Sequence, residues 1–322
     1  MTSALILAAD PLPQESKRKI CDDIGGASAL KRIVMVYKQA GVKKIVMVTG
    51  DDADEVEKHC SHLGIVFLRR ETTGKNDMLV SVKIGLGYLR DRSAKVFVSP
   101  AYVPFLTAET VKKMSSVAGQ AVIPMFEKKA GYPILVTDAV FDIILQYEGD
   151  AGVGGLEHVL SVEGADRLYI QVKDKGILAD IRHMSNIKSL TASQGLRDIR
   201  PESKISLLSE IPFFGPGTSL LLSLTRDTNS LKQAAQQMGI SYSKANKMID
   251  EAEEHLGFKL LATRQGGNGG GSSTVTRKAL DLMKRFNAFE SECADFAKQS
   301  FEKHFGDFRE SGELCFPCGM DS

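Results

Sequence analysis

The sequence predicts an α/β domain with a mostly parallel, Rossmann-like sheet, followed by a winged helix-turn-helix domain with a long C-terminal helix. Two observations lead to this prediction. Over the first ~190 residues, short apolar runs alternate with amphipathic segments, the pattern of parallel strands joined by crossover helices. After Thr218 the pattern is helical, with one interruption by the glycine-rich tract at 265–273.

Five apolar runs in the first half predict strands that are buried on both faces. They are 4–9, 44–50, 64–70, 95–100 and 121–126. Ala29–Ala40 and Asp54–Leu63 have helical periodicity, and Gly64 stands where the second helix should end. Ligands of such sheets bind beyond the carboxyl ends of the strands, so the loop after Ala8 and Ala9 is the first candidate site.

Composition argues for a globular cytoplasmic protein and against a membrane protein. The 322 residues carry a net charge of +1, so any basic surface must be local. Five scattered cysteines suit a reducing compartment, and no apolar run approaches the ~18 residues needed to span a bilayer. The N-terminus lacks the basic start and apolar region of a secretory signal, so we expect a cytoplasmic protein without a membrane segment.

A helical pair joined by a tight turn is predicted over 229–261. Gly239 turns the chain and Ser241 can cap the second helix, whose apolar positions recur at helical spacing. The second helix of such a pair enters the DNA major groove. Its first turns carry donors suited to phosphates and base edges, namely Ser241, Tyr242, Ser243, Lys244, Asn246 and Lys247.

The segment after this pair predicts a wing, that is, two strands joined by a glycine-rich hairpin. Arg264 and Asn268 lie in it and complete the candidate DNA contacts. Over 217–285 there are ten Lys and Arg against six Asp and Glu, a local surplus of +4. From periodicity alone, a helical hairpin with solvated lysines remains open.

A family resemblance extends over about 100 residues of this region, from Arg200 to Phe305. The "GISY" turn and the glycine-rich wing resemble the winged-helix domain of molybdate-responsive regulators (ModE-type, related to LysR-type domains). The resemblance implies that the helix Thr276–Phe305 pairs two chains and that the homodimer reads a two-fold operator on double-stranded DNA. Asn246 replaces the family's usual tryptophan, and Asn268 replaces a common lysine, which would alter sequence preference and remove a phosphate contact.

A second resemblance runs through the first ~190 residues. "LILAA", "DMLVSVKIGL" (77–86), "KKAGYPILV" (128–136) and "EGDAGVGGLEHVL" (148–160) occur in the order of motifs in the MobA-like molybdenum-cofactor nucleotidyltransferases. This resemblance implies a nucleotide-binding loop after the first strand and a Mg²⁺ site. In its frame Lys19 matches the family lysine, whereas Asp10 replaces the first loop glycine.

The residues that carry the chemistry of that family are changed here. Pro11 and Pro13 have no N–H to offer a phosphate, and the Asp10 carboxylate would repel one. At the metal positions that the resemblance implies, Tyr102 replaces an acid, Asp180 is retained, and Arg182 and Asn186 replace two acids. A phenol is a poor Mg²⁺ ligand at neutral pH.

Three hypotheses for the first domain follow. In the first, it is a pseudoenzyme that senses or binds a small-molecule effector, or only dimerises, and controls the DNA-binding half. No cofactor is assigned to it, and the candidate pocket residues are Ala8, Ala9, Asp10, Lys19, Tyr102, Asp180 and Arg182. In the second, it is an active transferase that uses Mg²⁺ and a nucleotide through Lys19, Asp180 and a replacement acid, Asp77 or Asp150. In the third, it is a scaffold without a ligand.

Other features are less specific. Arg69, Arg70 and Lys75 flank a predicted strand end, where an anionic ligand and ordinary surface charge are both open. Cys315 and Cys318 form a single C-x-x-C in a segment that we expect to be a tail, and metal sites generally need more ligands. We therefore expect domains at 1–195 and 196–306 and a tail at 307–322, in a transcriptional regulator that the two resemblances link to molybdenum-cofactor metabolism.

Overall fold

The computed structural model describes residues 1–9, 20–71, 78–149, 155–182, 201, 203–264 and 272–311. The chain divides into two compact units, Met1–Ser193 and Gln194–Ser322. Each unit has its own strands and helices. In the described residues, no helix is both long and apolar enough to cross a membrane.

The first unit is a sheet covered by helices. Its strands are β1 (Thr2–Ala8), β2 (Lys44–Thr49), β3 (Val66–Arg69), β4 (Lys95–Pro100), β5 (Ala121–Phe126), β6 (Lys129–Ala130), β7 (Ile134–Thr137) and β8 (Arg167–Gln171). Its α-helices are α1 (Ala29–Gln39), α2 (Ala53–Cys60), α3 (Met78–Leu89), α4 (Ala108–Ser115), α5 (Phe141–Gln146) and α6 (Gly155–Val162). Short 3-10 helices occupy Ser61–Leu63, Asp138–Val140 and Lys175–Leu178.

The strand order of this sheet is β3-β2-β1-β4-β7-β5-β6, and β8 pairs with β5. Strand β1 runs parallel to β2 and β4, β2 parallel to β3, and β5 parallel to β8. Strand β7 is antiparallel to both β4 and β5. The predicted mostly parallel α/β fold is confirmed, and the antiparallel β7 between two parallel strands is an addition that the apolar runs did not indicate.

The core of the sheet is built around β1. Leu5 and Ile6 are fully buried, because β1 is hydrogen-bonded on both sides and helices cover its faces. Helix α1 begins at the N-cap Ser28, whose hydroxyl accepts from the Lys31 N–H, and it buries Tyr37 in the core. The Tyr37 hydroxyl bonds to the Ser99 hydroxyl of β4, and burial raises the pKa of Tyr37.

The second unit is mostly helical. It contains β9 (Leu207–Leu208), β10 (Pro212–Phe214), α7 (Pro216–Thr228), α8 (Leu231–Gln237), α9 (Tyr242–Leu256), β11 (Leu261–Arg264), β12 (Ser272–Val275) and α10 (Arg277–Ser311). Strands β9 and β10 form one antiparallel pair, and β11 and β12 form another. Phe214 packs edge-on against Phe286 of α10, with ring centroids 5.1 Å apart, which joins the first hairpin of the unit to its last helix.

The helical faces predicted for this unit agree with the burial. Leu231, Ala234 and Ala235 of α8 and Ala245 and Ile249 of α9 are all buried. Helix α10 differs from the expectation at its C-terminal end, because it continues beyond Phe305 to Ser311. The sequence could not indicate this extension, because Gly306 resembles a helix stop.

Two glycines of α3 should respond oppositely to alanine. Gly85 lies against the fully buried Leu5 of β1, and a Cβ on Gly85 would lie 2.8 Å from Leu5 Cγ and closer still to its methyl groups. We expect Gly85→Ala to destabilise the protein by about 1–3 kcal/mol through overpacking. Gly87 is exposed on the same helix, and the nearest atom to its Cβ would be Leu145 Cδ2 at 4.0 Å.

Gly87→Ala is therefore the matched control. It should stabilise the protein by up to about 1 kcal/mol, because alanine has the higher helix propensity. Urea denaturation of both variants, followed by circular dichroism, measures the two effects. A Gly85→Ala variant as stable as Gly87→Ala would contradict the packing of α3 against β1.

Candidate functional site

The carboxyl ends of four strands meet at one edge of the sheet in the first unit. Ala8 pairs with Thr49, Thr49 with Arg69, and Leu7 with Pro100, so the loops after β1, β2, β3 and β4 all leave from this edge. The Ala101 N–H donates to the Leu7 carbonyl at 2.9 Å, which continues the pairing of β1 and β4 into the loop. This is the edge where an α/β sheet of this kind binds its ligands.

Arg70 reaches the end of β1. Its backbone N–H donates to the Thr49 carbonyl at 2.8 Å, its Nη2 donates to the Ala9 carbonyl at 2.9 Å, and its Nη1 donates to Ser81 Oγ at 3.1 Å. Its neighbour Arg69 instead forms ion pairs with Asp54 and Glu57. Of the two arginines in the sequence pattern, Arg70 is therefore the one placed beside the predicted loop.

Tyr102, Asp180 and Arg182, which lie far apart in the sequence, come together at this edge. The Ile181 N–H donates to the Tyr102 carbonyl at 2.9 Å, which fixes the two segments side by side. Arg182 Nε donates to both Asp180 oxygens at 3.0 Å, and Nη2 donates to Oδ2 at 2.7 Å. The guanidinium also lies over the Tyr102 ring, with Cζ 3.4 Å from the ring centroid.

Apolar packing supports this cluster from below. Ile24, Ala29, Phe105, Ala179 and Ile181 form a small buried core, and Tyr102 packs against it. Ala179 and Ile181, the two neighbours of Asp180 in the chain, are both buried in this core. The Asp180 carboxylate between them bonds to the Arg182 guanidinium.

The net effect of the surroundings is to raise the pKa of Arg182, which is charged at ordinary pH in any case. Burial by itself would lower this pKa, but the hydrogen bonds to Asp180 and Tyr102 and the attraction from both groups outweigh it. The side chains of Arg182 and Asp180 are 24% and 23% exposed, so the pair is reachable from solvent.

Several residues predicted for this site lie outside the described residues. They are Asp10, Lys19, Lys75, Asp77, Asp150 and Asn186. Ala8 and Ala9 are placed at the end of β1 and are buried. Their contribution to a site is therefore through the backbone, as with the Ala9 carbonyl that Arg70 binds.

The second unit contains a helix-turn-helix built from α8 and α9. Gly239 between the two helices has φ of 64°, a conformation that glycine adopts without strain. Ser241 caps α9 by accepting from the Lys244 N–H at 3.2 Å, as the sequence predicts. Cap and turn together set where the second helix begins.

The first turns of α9 are exposed on the side away from the core. Ser241, Tyr242, Ser243, Lys244 and Lys247 are exposed, and Asn246 is half-buried. Lys247 Nζ lies 3.6 Å from Glu251 Oε1, one helical turn further on. The six predicted residues therefore share one end of the helix, where donors to phosphates and base edges could reach DNA.

The wing is tied to α9 by a buried carboxylate. Glu253 accepts from the Leu260 and Leu261 N–H groups at 2.7 and 3.1 Å and from Lys259 Nζ at 2.6 Å. Strand β11 starts at Leu261 and pairs with β12, with Arg264 opposite Ser272. The Arg264 side chain and Asn268 lie outside the described residues, so their predicted DNA contacts remain predictions.

The comparison with known families identifies the first unit. The chain belongs to the family of the MobA-like NTP transferase domain, whose model matches residues 4–167, which is 164 of the 322 residues. The second match, over residues 221–279, is to the bacterial regulatory helix-turn-helix protein of the lysR family. Both resemblances seen in the sequence are thereby confirmed at the level of the family, and the chain combines a nucleotidyltransferase-like domain with a helix-turn-helix domain.

Solved structures with a similar fold agree with the first match. A nucleotidyl transferase from Methanothermobacter thermautotrophicus has 16% sequence identity and a TM-score of 0.50, with 60% of this chain and 97% of that chain covered. An rv0371c homologue from Mycobacterium sp. strain JC1 has 18% identity and a TM-score of 0.50, with 60% and 96% covered. These similarities concern the fold. No curated protein matches the chain.

The cluster at the strand ends does not fit the divalent metal that a transferase of this kind uses. Tyr102 offers a phenol, and Asp180 offers one carboxylate whose two oxygens are already bonded to Arg182. Across the described ranges, no group of three or more His, Cys, Asp or Glu side chains could hold a metal. A positively charged guanidinium next to the single carboxylate opposes a second cation there.

The Glu253 contacts make a testable prediction. Glu253→Gln removes the charge that accepts two backbone N–H groups, and it should cost about 1–3 kcal/mol of local stability. Hydrogen–deuterium exchange at the Leu260 and Leu261 amides should become faster by at least tenfold. Glu254→Gln, the same change on the exposed neighbouring residue, is the control and should leave both amides protected. Equal exchange in the two variants would contradict the role of Glu253 in holding the wing.

Proposed function

We propose that this protein is a DNA-binding transcriptional regulator whose first domain binds a small molecule instead of transferring nucleotides. The observation that supports DNA binding is the exposed start of α9, where a serine cap, a tyrosine and two lysines project from a helix-turn-helix. The match to a bacterial regulatory helix-turn-helix protein supports the same half.

The replaced metal cluster supports the proposal for the first domain. Phosphoryl transfer depends on metal and on positioned charges, so a site with one carboxylate already paired to an arginine should retain little of the rate. We therefore propose a pseudoenzyme in which Ala8, Ala9, Tyr102, Asp180 and Arg182 line the ligand pocket. Domain limits at 1–195 and 196–306, a cytoplasmic location and a link to molybdenum-cofactor metabolism belong to this proposal, the last on the resemblance of both halves to molybdenum-related families.

The proposed assembly is a homodimer formed by α10. Beyond Phe286, which packs on Phe214 of its own unit, this helix exposes large aromatic side chains. Phe289 is 48% exposed and Phe296, seven residues later, is 70% exposed, with Cys293 between them on the same face. An apolar stripe with this spacing is suited to packing against a second helix of the same kind.

The DNA-binding proposal predicts the behaviour of two lysines. Lys244→Ala and Lys247→Ala should each weaken binding to duplex DNA and reduce the slope of log K against log salt by about one, because each removes one phosphate contact. Fluorescence anisotropy with a labelled duplex of random sequence, measured at several salt concentrations, gives both quantities.

Lys298→Ala is the matched control for charge. Lys298 is exposed on α10, 21 residues beyond its first residue, Arg277, and so about 30 Å along the helix. It should leave both affinity and salt slope unchanged. If both α9 variants kept the wild-type slope, the exposed start of α9 would not be the DNA-binding surface.

The dimer proposal predicts the effect of a charge in the stripe. Phe296→Lys should convert the protein from twice the chain mass of 35.1 kDa to the single chain mass at micromolar concentration. Light scattering after gel filtration measures this mass. Ala294→Lys adds the same side chain on another face of α10 and should leave the mass unchanged. A dimeric Phe296→Lys variant would exclude this stripe as the dimer contact.

A further inference from the structure

The Arg182 guanidinium is held from two sides at the strand-end edge. Asp180 binds its Nε–Nη2 edge, and the Tyr102 ring supports one face with the centroid 3.4 Å from Cζ. A planar guanidinium that is bonded along an edge and stacked on a ring has little freedom to rotate. The position of its positive charge is therefore set by the fold.

The charge of this cluster balances without a metal ion. The charges of the Asp180 carboxylate and the Arg182 guanidinium cancel, and Tyr102 contributes a phenol where an acid would contribute a carboxylate. A divalent ion entering between Tyr102 and Asp180 would have to displace the guanidinium and would meet like charge. Replacing acids by Tyr102 and Arg182 thus changes both the charge and the ligand set.

One edge of the guanidinium lies outside the ion pair. Asp180 is bonded by Nε and Nη2, so Nη1 belongs to the other edge. Arg182 also has a side-chain hydrogen bond with Tyr102, and 24% of its side chain is exposed. Two N–H groups on one edge of a guanidinium match the spacing of two oxygens of an oxyanion such as phosphate. An oxyanion can therefore approach Arg182 while Asp180 keeps its hydrogen bonds.

We infer that Arg182 takes the place of the divalent metal in this fold: it is a fixed cation that binds an oxyanion group of a small ligand, without any metal ion between Tyr102 and Asp180. The ligand class rests on the proposed small-molecule binding by the first domain.

The metal part is tested with Mn²⁺ and electron paramagnetic resonance, which reports the free ion, on the full-length protein. Wild type and Asp180→Asn should leave the same amount of Mn²⁺ free. Tyr102→Asp combined with Arg182→Asp places three acids at the cluster and should gain one Mn²⁺ site, at least tenfold tighter than any in wild type. Tyr102→Phe with Arg182→Lys, which keeps the charges, should gain none.

Two results would overturn this part. One is Mn²⁺ binding by wild type that Asp180→Asn abolishes. The other is a double-acid variant that keeps the wild-type circular dichroism spectrum and gains no site. If that variant does not fold, the comparison of wild type with Asp180→Asn still shows whether wild type binds Mn²⁺ through Asp180, because it needs no engineered site.

The anion part is tested by calorimetric titration of inorganic phosphate into the full-length protein in the presence of EDTA. Binding should occur in wild type and should weaken at least tenfold in Arg182→Gln. Arg90→Gln is the matched control, because Arg90 forms a surface ion pair with Asp142 at 2.6 Å in the same unit. It should leave phosphate affinity unchanged.

Three results would overturn the inference. They are no phosphate binding by wild type, phosphate binding that requires added Mg²⁺, and phosphate binding that Arg182→Gln leaves unchanged. DNA affinity, measured by anisotropy on the same samples, distinguishes failure of the anion site from failure of the DNA-binding function. Loss of phosphate binding with normal DNA binding rejects the anion site and leaves the DNA-binding function standing. Failure of DNA binding with intact phosphate binding rejects the regulator and leaves the anion site.

Discussion

The parallel pairing of β1 with β2 on one side and β4 on the other is the constraint on which the first unit depends. It buries Leu5 and Ile6 completely and aligns the strand ends, so that Ala8, Thr49 and Pro100 stand at a common edge. The segment that follows β4 therefore starts at this edge. Tyr102 follows two residues after β4, and its carbonyl receives the N–H of Ile181, which carries Asp180 and Arg182 to the same place.

In the second unit, hydrogen bonds between residues close in sequence fix both ends of the helix α9. The Ser241 hydroxyl fixes the first turn of α9, and Glu253 near its other end fixes the start of the wing. The helix that presents the candidate DNA contacts is thus anchored at both ends. Its exposed lysines lie beyond the cap and can adapt to a phosphate backbone without disturbing the anchored core.

How much the sequence could predict follows from the range of each interaction. Strands β1 to β5 and the Ser241 cap were predictable, because apolar runs and capping act over a few neighbouring residues. The contact of Arg182 with Tyr102 spans 80 residues, and the antiparallel insertion of β7 depends on which strands it joins, so neither has a local signal. Glu253 sits in a run of acids, "DEAEEHL", where nothing marks the one carboxylate that the wing covers.

Because the Arg182 guanidinium is part of the protein, its presence at the site does not depend on the concentration of a free ion. A divalent ion can be chelated, depleted or exchanged for another metal, whereas the Arg182 guanidinium is present in every folded molecule and stays charged throughout the physiological pH range. The occupancy of this site by a ligand would therefore depend on the concentration of that ligand, and not on the supply of magnesium or manganese in the cell. Under the proposed function, this fixed charge would make ligand binding by the domain independent of any metal ion.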